Sequence, residues 1–213
     1  MSEPPRFDES FRERLRDLLV WRRDVRRFRR EPPPAVLLDR LLGLAHLAPS
    51  VGLSQPWRFV TVDDPARRRA VRAVFADCNR AALDAYEGER ARLYAAMKLA
   101  GLDEAPWHVA VFSDHGTEQG AGLGRRTMPE MTEYSVVTAI HTLWLAARAE
   151  GIGMGWVSIL DPPRVAAALD IPADWVFVAY LCLGYPAEEI ASPTLEREGW
   201  EHRRPVEELV IRR

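Results

Sequence analysis

The sequence contains few of the residues on which disulfide-rich domains and metal sites depend. Only two of its 213 residues are cysteines, Cys78 and Cys182, and the second lies inside an apolar run. Two cysteines so placed form neither a disulfide framework nor a metal-ligand motif. We therefore expect a reducing compartment, the cytoplasm, and no bound metal.

Long apolar runs and an excess of one charge are also missing. The uncharged run of the most apolar segment, residues 134–147, is shorter than the roughly 18 apolar residues that indicate a membrane span. The N-terminus lacks the basic and then apolar layout of a signal peptide. With a formal net charge of −2 and 47% hydrophobic residues, the chain is expected to be soluble, with neither membrane nor nucleic acid as its partner.

The sequence has no phosphate-binding P-loop, zinc motif or nucleophilic serine elbow. Gly120, Gly122 and Gly124 follow a G-x-G-x-G spacing several residues after a predicted strand, so a flexible turn is favoured over a phosphate loop. The histidines are scattered, and His141, on an apolar helix, is predicted to be a hydrogen-bonded core residue. A metal hydrolase is disfavoured, and the length predicts one domain over residues 1–213.

One short segment, residues 21–28, places four arginines around a single carboxylate. Arginine presents a planar set of N–H donors that matches phosphate, and it stays charged when partly desolvated. Charge runs more often face water, so a solvated basic helix end is the alternative. The segment follows a short predicted helix, which begins at a capping box in residues 10–13.

Apolar spacing and turn residues predict the elements that follow. A second helix should stop near Pro49, and residues 49–56 form a loop that enters a strand, a good place to hold a ligand. Asp64 and Asp161, each followed by proline, predict two helix starts. β-branched and aromatic residues predict strands at residues 57–62, 109–112, 155–160 and 175–184.

Three further segments suggest surfaces that need a covering partner. A long helical region reaching about residue 101 is poor in large apolar residues, and we treat residues 76–104 as a candidate lid. Residues 129–150 form the most apolar helix, which predicts a face for a second subunit, and Gly151 should end it with a left-handed cap. The tail, residues 184–213, has scattered apolar residues and no core of its own.

Several of these motifs together resemble the FMN-dependent nitroreductase family. The resemblance implies an α+β fold with a central, mostly antiparallel sheet flanked by helices, built as an intertwined homodimer. It implies an FMN at each subunit interface, with the tail wrapped on the partner. The matching motifs, in the family's order, are residues 22–26, 48–50 with 55–57, 153–156 and 203–205. A branch that forms 5,6-dimethylbenzimidazole is most similar in residues 48–52, 143–151, 155–159 and 181–184.

The resemblance also implies roles for individual residues. Ser50 would reach the flavin across the dimer, Leu99 would contact it from the lid, and Ser158 would hydrogen-bond the flavin ring near N5. A turn residue and a serine bonded to nearby backbone are the alternatives for Ser50 and Ser158. The flavin phosphate and ribityl chain would lie among the remaining members of the cofactor-binding set: Arg22, Arg23, Asp24, Val25, Arg26 and Arg203.

Asp24 stands where ordinary members of the family commonly carry a small hydroxyl residue. A hydroxyl only hydrogen-bonds the cofactor, whereas a carboxylate can also remove protons from it. Asp24 and Ser158 are therefore the candidate catalytic residues, with Asp24 as the base beside the ribityl chain.

Two enzyme hypotheses follow. The first is an oxygen-dependent synthase that fragments reduced FMN to 5,6-dimethylbenzimidazole, the lower ligand of cobalamin, and erythrose 4-phosphate; NAD(P)H would act only through a separate flavin reductase. The second is an NAD(P)H-dependent nitro or quinone reductase that retains its FMN. Asp24 and the lid favour the first, because a nicotinamide must stack openly on the flavin. A non-catalytic flavin-binding dimer is a third possibility.

Overall fold

A four-stranded sheet lies at the centre of the computed structural model, which describes residues 3–213. The strands are Trp57–Thr61 (β1), Trp107–Asp114 (β2), Gly153–Val157 (β3) and Trp175–Gly184 (β4). Their order across the sheet is β1-β2-β4-β3, and each neighbouring pair is antiparallel. The predicted antiparallel sheet is therefore confirmed.

Helices cover both faces of this antiparallel sheet. The α-helices are Glu9–Trp21 (α1), Ala35–Ala45 (α2), Pro65–Asp84 (α3), Gly88–Ala96 (α4), Met131–Ala149 (α5), Pro162–Leu169 (α6) and Thr194–Arg197 (α7). Short 3-10 turns occupy Val51–Leu53 and Val206–Glu208. Among residues 3–213, no helix has the length and apolarity needed to cross a membrane.

Two hydrophobic clusters hold the layers together, one on each face of the sheet. Alternate residues of a strand point to opposite faces, so β4 contributes Leu181 to one cluster and Tyr180 to the other. Leu181 lies in the cluster that contains Ile140 and Leu143 of α5. Tyr180 lies in the other cluster, which contains residues of α3 and α6. The central strands are consequently buried on both faces.

Three local predictions are corrected by the structure. Asp8, not Ser10, caps α1, because its carboxylate accepts a hydrogen bond from the Phe11 N–H at 2.8 Å. The strand predicted at residues 155–160 begins two residues earlier and ends at Val157, because its pairing with β4 ends there. The long helical region after residue 64 is broken between Asp84, where α3 ends, and Gly88, where α4 begins with a left-handed φ of +57°.

Of the other predictions about single residues, three are confirmed and one is wrong. Asp64 and Asp161 cap α3 and α6 through their side chains, as predicted. Gly151 ends α5 with a φ of +71°, which confirms the left-handed cap. His141 is exposed on α5, so its prediction as a core residue is wrong: α5 buries one face against the sheet and leaves the other uncovered in a single chain.

Candidate functional site

The arginine-rich segment after α1 lies directly against β3. The Val25 N–H donates to the Met154 carbonyl at 3.0 Å, which places Asp24 beside the strand. A Cβ added to Gly155 would lie 2.1 Å from the Val25 carbonyl oxygen, and one on Gly153 would lie 2.9 Å from a Val25 methyl. The Gly-x-Gly motif is therefore required here because only glycine lets the two backbones approach so closely.

Asp24 has a hydrogen bond on each carboxylate oxygen. Oδ1 accepts from the backbone N–H of Trp156 at 2.9 Å, and Oδ2 accepts from Arg26 Nε at 2.9 Å. The side chain of Asp24 nevertheless remains 32% exposed. Its orientation is thus fixed by two donors while part of the carboxylate stays accessible to a ligand.

That accessible part lines a cavity of about 290 Å³. We call residues 23–27 and 152–154 its wall, because they belong to the arginine-rich segment and the start of β3. We call residues 96–98 and 186–198 its roof; the first of these ranges lies within the candidate lid, directly after α4, and the second belongs to the tail. The cavity therefore separates a part of the sheet from two surface segments.

Three arginines gather beside this cavity. Arg22 lies with its Cζ 4.8 Å from the centre of the Trp144 ring, and Arg23 Nε donates to the Ala191 carbonyl at 2.6 Å. Burial lowers the pKa of both Arg22 and Arg23, and the nearby positive charge of Arg203 lowers each pKa further. Like charges held together in this way favour the binding of an anion.

Arg203 reaches this cluster from the tail, where Glu196 holds it. The backbone N–H of Arg203 donates to Glu196 Oε1 at 3.0 Å, and Arg203 Nε lies 3.7 Å from the same oxygen. Glu196 also acts to raise the pKa of Arg23, against the larger effect of burial. Asp24, which also acts on Arg22, is paired with Arg26. The three guanidinium groups with Glu196 therefore leave a positive site that matches the charge and the donor geometry of a phosphate.

Arg26 has a different position from the other arginines. It pairs with Asp24, its Nη1 donates to the Lys98 carbonyl at 3.4 Å, and its side chain is 16% exposed. Arg26 therefore balances the charge of Asp24 and connects the wall to the roof.

Comparison with known proteins identifies the class of this fold. The sequence profile of the Nitroreductase family matches residues 19–185. The chain belongs to the Nitroreductase family. This family member is 60% identical to the 5,6-dimethylbenzimidazole synthase of Rhodospirillum rubrum over 205 residues, which cover 96% of this chain and 97% of the relative.

Two further proteins support the assignment to the nitroreductases. A 5,6-dimethylbenzimidazole synthase of Rhodobacter capsulatus is 48% identical over 201 residues, covering 94% of this chain and 97% of the relative. The crystal structure of oxidized iodotyrosine deiodinase bound to FMN and 3-iodo-L-tyrosine superimposes with a TM-score of 0.70 at 28% identity, covering 83% of this chain and 91% of that one.

Ser50 lies far from the arginine cluster in this nitroreductase fold. Its hydroxyl accepts a hydrogen bond from the Gln55 N–H at 3.1 Å, and its neighbour Val51 donates to Ser135 Oγ at 3.0 Å. Ser135 and Trp144 are nine positions apart on α5, which is about 13 Å at 1.5 Å per residue. The structure thus does not bring Ser50 to the cavity of its own chain.

Two more residues predicted from the nitroreductase resemblance lie near the cavity without lining it. Ser158 is exposed, one residue beyond the end of β3 and two beyond the amide that holds Asp24. Leu99 is half-buried and follows Lys98, whose carbonyl contacts Arg26. The structure therefore groups Asp24, Arg26 and the lid end closely, and leaves Ser158 at an open edge.

The sequence interpretation missed two residues of α5 that line the cavity of this nitroreductase. Trp144 donates from Nε1 to the Arg23 carbonyl at 3.2 Å, and Arg148 donates to both oxygens of Glu189 at 2.8 and 2.6 Å. A signal was present, because residues four apart on a helix share one face. A tryptophan and an arginine at that spacing on an otherwise apolar helix mark the face that meets the site.

Proposed function

We propose that this protein is a 5,6-dimethylbenzimidazole synthase, which uses dioxygen to fragment reduced FMN to 5,6-dimethylbenzimidazole and D-erythrose 4-phosphate. The observation that carries the proposal is Asp24, a carboxylate fixed by the Trp156 N–H and Arg26 and still exposed at the cavity. The name of the two relatives described above supports it.

The donor set in the structure fits FMN. Arg22, Arg23 and Arg203 would hold the phosphate, because these three and Arg26 carry four positive charges against the two negative charges of Glu196 and Asp24. When bound, reduced FMN would supply the electrons that reduce dioxygen and the carbon atoms of the product. The ribityl chain would lie along Asp24 and its neighbours Val25 and Arg26.

In this arrangement Asp24 would act as the base beside the ribityl chain. Trp156 and Arg26 each use one lone pair of the carboxylate, so that every oxygen keeps another that can take a proton. Ser158 would hydrogen-bond the flavin ring near N5, and Leu99 would contact it from the lid. These roles assign proton removal to the wall and enclosure of the flavin to the roof.

We infer that a second copy of the chain completes the site. α5 leaves Tyr134 and Val137 exposed by 53% and 40%, and in the tail Leu209 and Ile211 are exposed by 64% and 78%. Apolar surface of this kind is normally covered by a partner. A partner would also bring its own Ser50 to the flavin. Light scattering at micromolar concentration should give a dimer, and a folded monodisperse monomer would contradict the inference.

Reduced FMN would come from a separate flavin reductase in the cytoplasm. The proposed enzyme consumes its flavin, so NAD(P)H would act only through that reductase. The purified protein alone should therefore not oxidise NAD(P)H, and adding any flavin reductase with FMN should start product formation.

The direct test is to mix the purified protein with chemically reduced FMN in air and to measure 5,6-dimethylbenzimidazole by mass spectrometry. Oxidised FMN without reductant is the control, and it should yield no product. Recovery of all the FMN intact, despite demonstrated binding, would reject the proposal. Steady NAD(P)H consumption with a nitroarene would instead indicate the nitro or quinone reductase.

A further inference from the structure

Trp200 of the tail packs on the segment that contains α4. Its ring centre lies 5.4 Å from that of Tyr86, with the planes at 89°, and 6.2 Å from that of Tyr94. Arg90 contacts Trp200 twice: its Cζ lies 4.8 Å from the ring centre, and its Nη1 donates to the Trp200 carbonyl at 2.5 Å. We call these four residues the Trp200 cluster.

The local sequence explains why Trp200 points toward α4. Gly199 follows α7 with a φ of +70°, and the Trp200 N–H donates back to the Leu195 carbonyl at 2.9 Å. This is the left-handed turn that commonly ends a helix, and glycine adopts it without steric cost. The turn reverses the chain after α7 and brings the indole against Tyr86, Arg90 and Tyr94.

The Trp200 cluster joins the two segments that form the roof. On the α4 side, the helix leads to residues 96–98, where the Lys98 carbonyl accepts a hydrogen bond from Arg26. On the tail side, Arg203 follows Trp200 by three residues and its N–H donates to Glu196 at 3.0 Å. A change in the position of Arg203 is therefore connected, through a few contacts, to the candidate lid.

The helix α4 is also anchored to α3, independently of Trp200. Its folding and its position over the cavity can therefore change separately. Tyr94 is 7% exposed, and its hydroxyl donates to Asn79 Oδ1 of α3 at 2.9 Å. Gly88, at the other end of α4, has a φ of +57°, and a Cβ added there would meet no atom within 4 Å. Loss of the Trp200 contact should therefore leave α4 folded and change how it sits over the cavity.

We propose that Trp200 is a positioning residue that couples phosphate binding at Arg203 to closure of the candidate lid, residues 76–104. A phosphate among Arg22, Arg23 and Arg203 fixes the tail, and the Trp200 cluster transmits this to α4. The proposal rests on the proposed function, because the phosphate is that of FMN. Riboflavin, which has the same ring and no phosphate, should bind without closing the lid.

The test is amide hydrogen exchange of residues 86–98 in the full-length protein, with saturating oxidised FMN or riboflavin as the probe. In the unaltered protein FMN should slow this exchange and riboflavin should not. In Trp200→Ala the FMN effect should vanish, and FMN affinity should fall about tenfold, a typical coupling between two sites. Riboflavin affinity should be unchanged, and Trp200→Phe should retain most of the FMN effect.

A matched pair on α4 keeps the test decisive if Trp200→Ala folds poorly. Arg90→Ala removes both contacts with Trp200, whereas Arg92→Ala removes the same charge from an exposed position of the same helix. Arg90→Ala should reduce the FMN effect on exchange, and Arg92→Ala should behave as the unaltered protein.

The outcomes separate this proposal from the proposed function. Equal lid protection by FMN in Trp200→Ala and the unaltered protein, or equal protection by riboflavin and FMN, would overturn the coupling. Lid protection that depends on Trp200, without formation of 5,6-dimethylbenzimidazole, would support the coupling and reject the synthase. Absence of FMN binding to the unaltered protein would overturn both.

Discussion

The wall and the roof of the cavity are held in place by different kinds of interaction. The wall rests on backbone contacts: Val25 bonds to Met154, and its carbonyl lies where a side chain on Gly155 would be. The roof is fixed by a backbone bond only at its start, from the Ala187 N–H to the Arg27 carbonyl at 3.0 Å. Its later residues are held by side-chain contacts, such as the surface pair of Arg197 with Glu188 at 3.8 Å. Surface ion pairs contribute only about 0–1 kcal/mol each. We therefore expect the wall to be more rigid than the roof.

This difference matches what the proposed reaction requires of each side. A base must be held in one orientation to remove a proton efficiently, and Asp24 has two donors that do so. A lid must open to admit reduced FMN and close to exclude water, so it is built from weaker contacts. Substitutions on the wall should accordingly have larger effects than substitutions on the roof.

The largest effect should come from Gly155→Ala. The added methyl group would lie 2.1 Å from the Val25 carbonyl oxygen. Moving Gly155 away would break the pairing of β3 with β4, and moving Val25 away would break its bond to Met154. We expect a loss of at least ~3 kcal/mol in the free energy of unfolding, the upper range for overpacking. Denaturant unfolding measures it.

Gly43→Ala is the matched control, because Gly43 lies in α2 and an added Cβ meets nothing within 4 Å. It should stabilise the protein by about 0.5–1 kcal/mol, the helix cost of glycine. Similar unfolding free energies for the two variants would show that the wall tolerates displacement.

Acid should destabilise the protein through a buried histidine in the sheet that carries the wall. Burial lowers the pKa of His108, on β2, from 6.5 to about 4. The unfolded chain takes up this proton near pH 6.5 and the folded protein only near pH 4, so acid favours unfolding. Stability present at pH 7 should fall by about 3 kcal/mol on account of His108 as the pH drops through this window.

Urea unfolding between pH 7 and pH 4 measures this effect. His108→Asn should show a smaller pH dependence than the unaltered protein, and His202→Asn, at an exposed position in the tail, should show the same dependence. If His108→Asn lost as much stability in acid as the unaltered protein, other groups would account for the acid sensitivity.

Asp24→Asn should separate chemistry from binding at the wall. The amide keeps the size and much of the hydrogen bonding of Asp24 and removes the base. Product formation from reduced FMN should fall by at least ~100-fold, the low end for the loss of a general base. FMN binding, measured by titration, should be retained. Asp39→Asn, at an exposed position on α2, is the control. Near-normal product formation by Asp24→Asn would make this carboxylate structural.

The wall was more predictable from the sequence than the roof. The two motifs that meet there, residues 22–26 and 153–156, each stand out within a few residues. Their contact could not be predicted, because Asp24 and Trp156 are 132 positions apart in the chain and only the complete fold brings them together. The helix start at Asp8 was missed because Ser10 offers an equally good local pattern.

The roof was harder to predict from the sequence, because residues of its types are common on any protein surface and form no local motif. Arg90 and Trp200 show no pattern until the fold brings them together across 110 positions. The lid was predicted from its low apolar content alone, which indicates exposure without indicating what holds it. Side-chain contacts between distant surface segments depend on the whole fold, so local patterns do not encode them.

The smallest effect should come from Gly199→Ala, directly after the roof. The left-handed φ of +70° at Gly199 costs alanine about 1 kcal/mol, while an added Cβ meets nothing within 4 Å. Gly151→Ala is the matched control, because Gly151 has a φ of +71° and equally open surroundings at the end of α5. Both variants should lose about 1 kcal/mol of unfolding free energy, and the two should differ in FMN affinity.

Gly199→Ala should weaken FMN binding several-fold, because the turn places both Trp200 and Arg203, whereas Gly151→Ala should leave the affinity unchanged. Equal affinity in the two variants would mean that the roof does not depend on this turn to bind the phosphate.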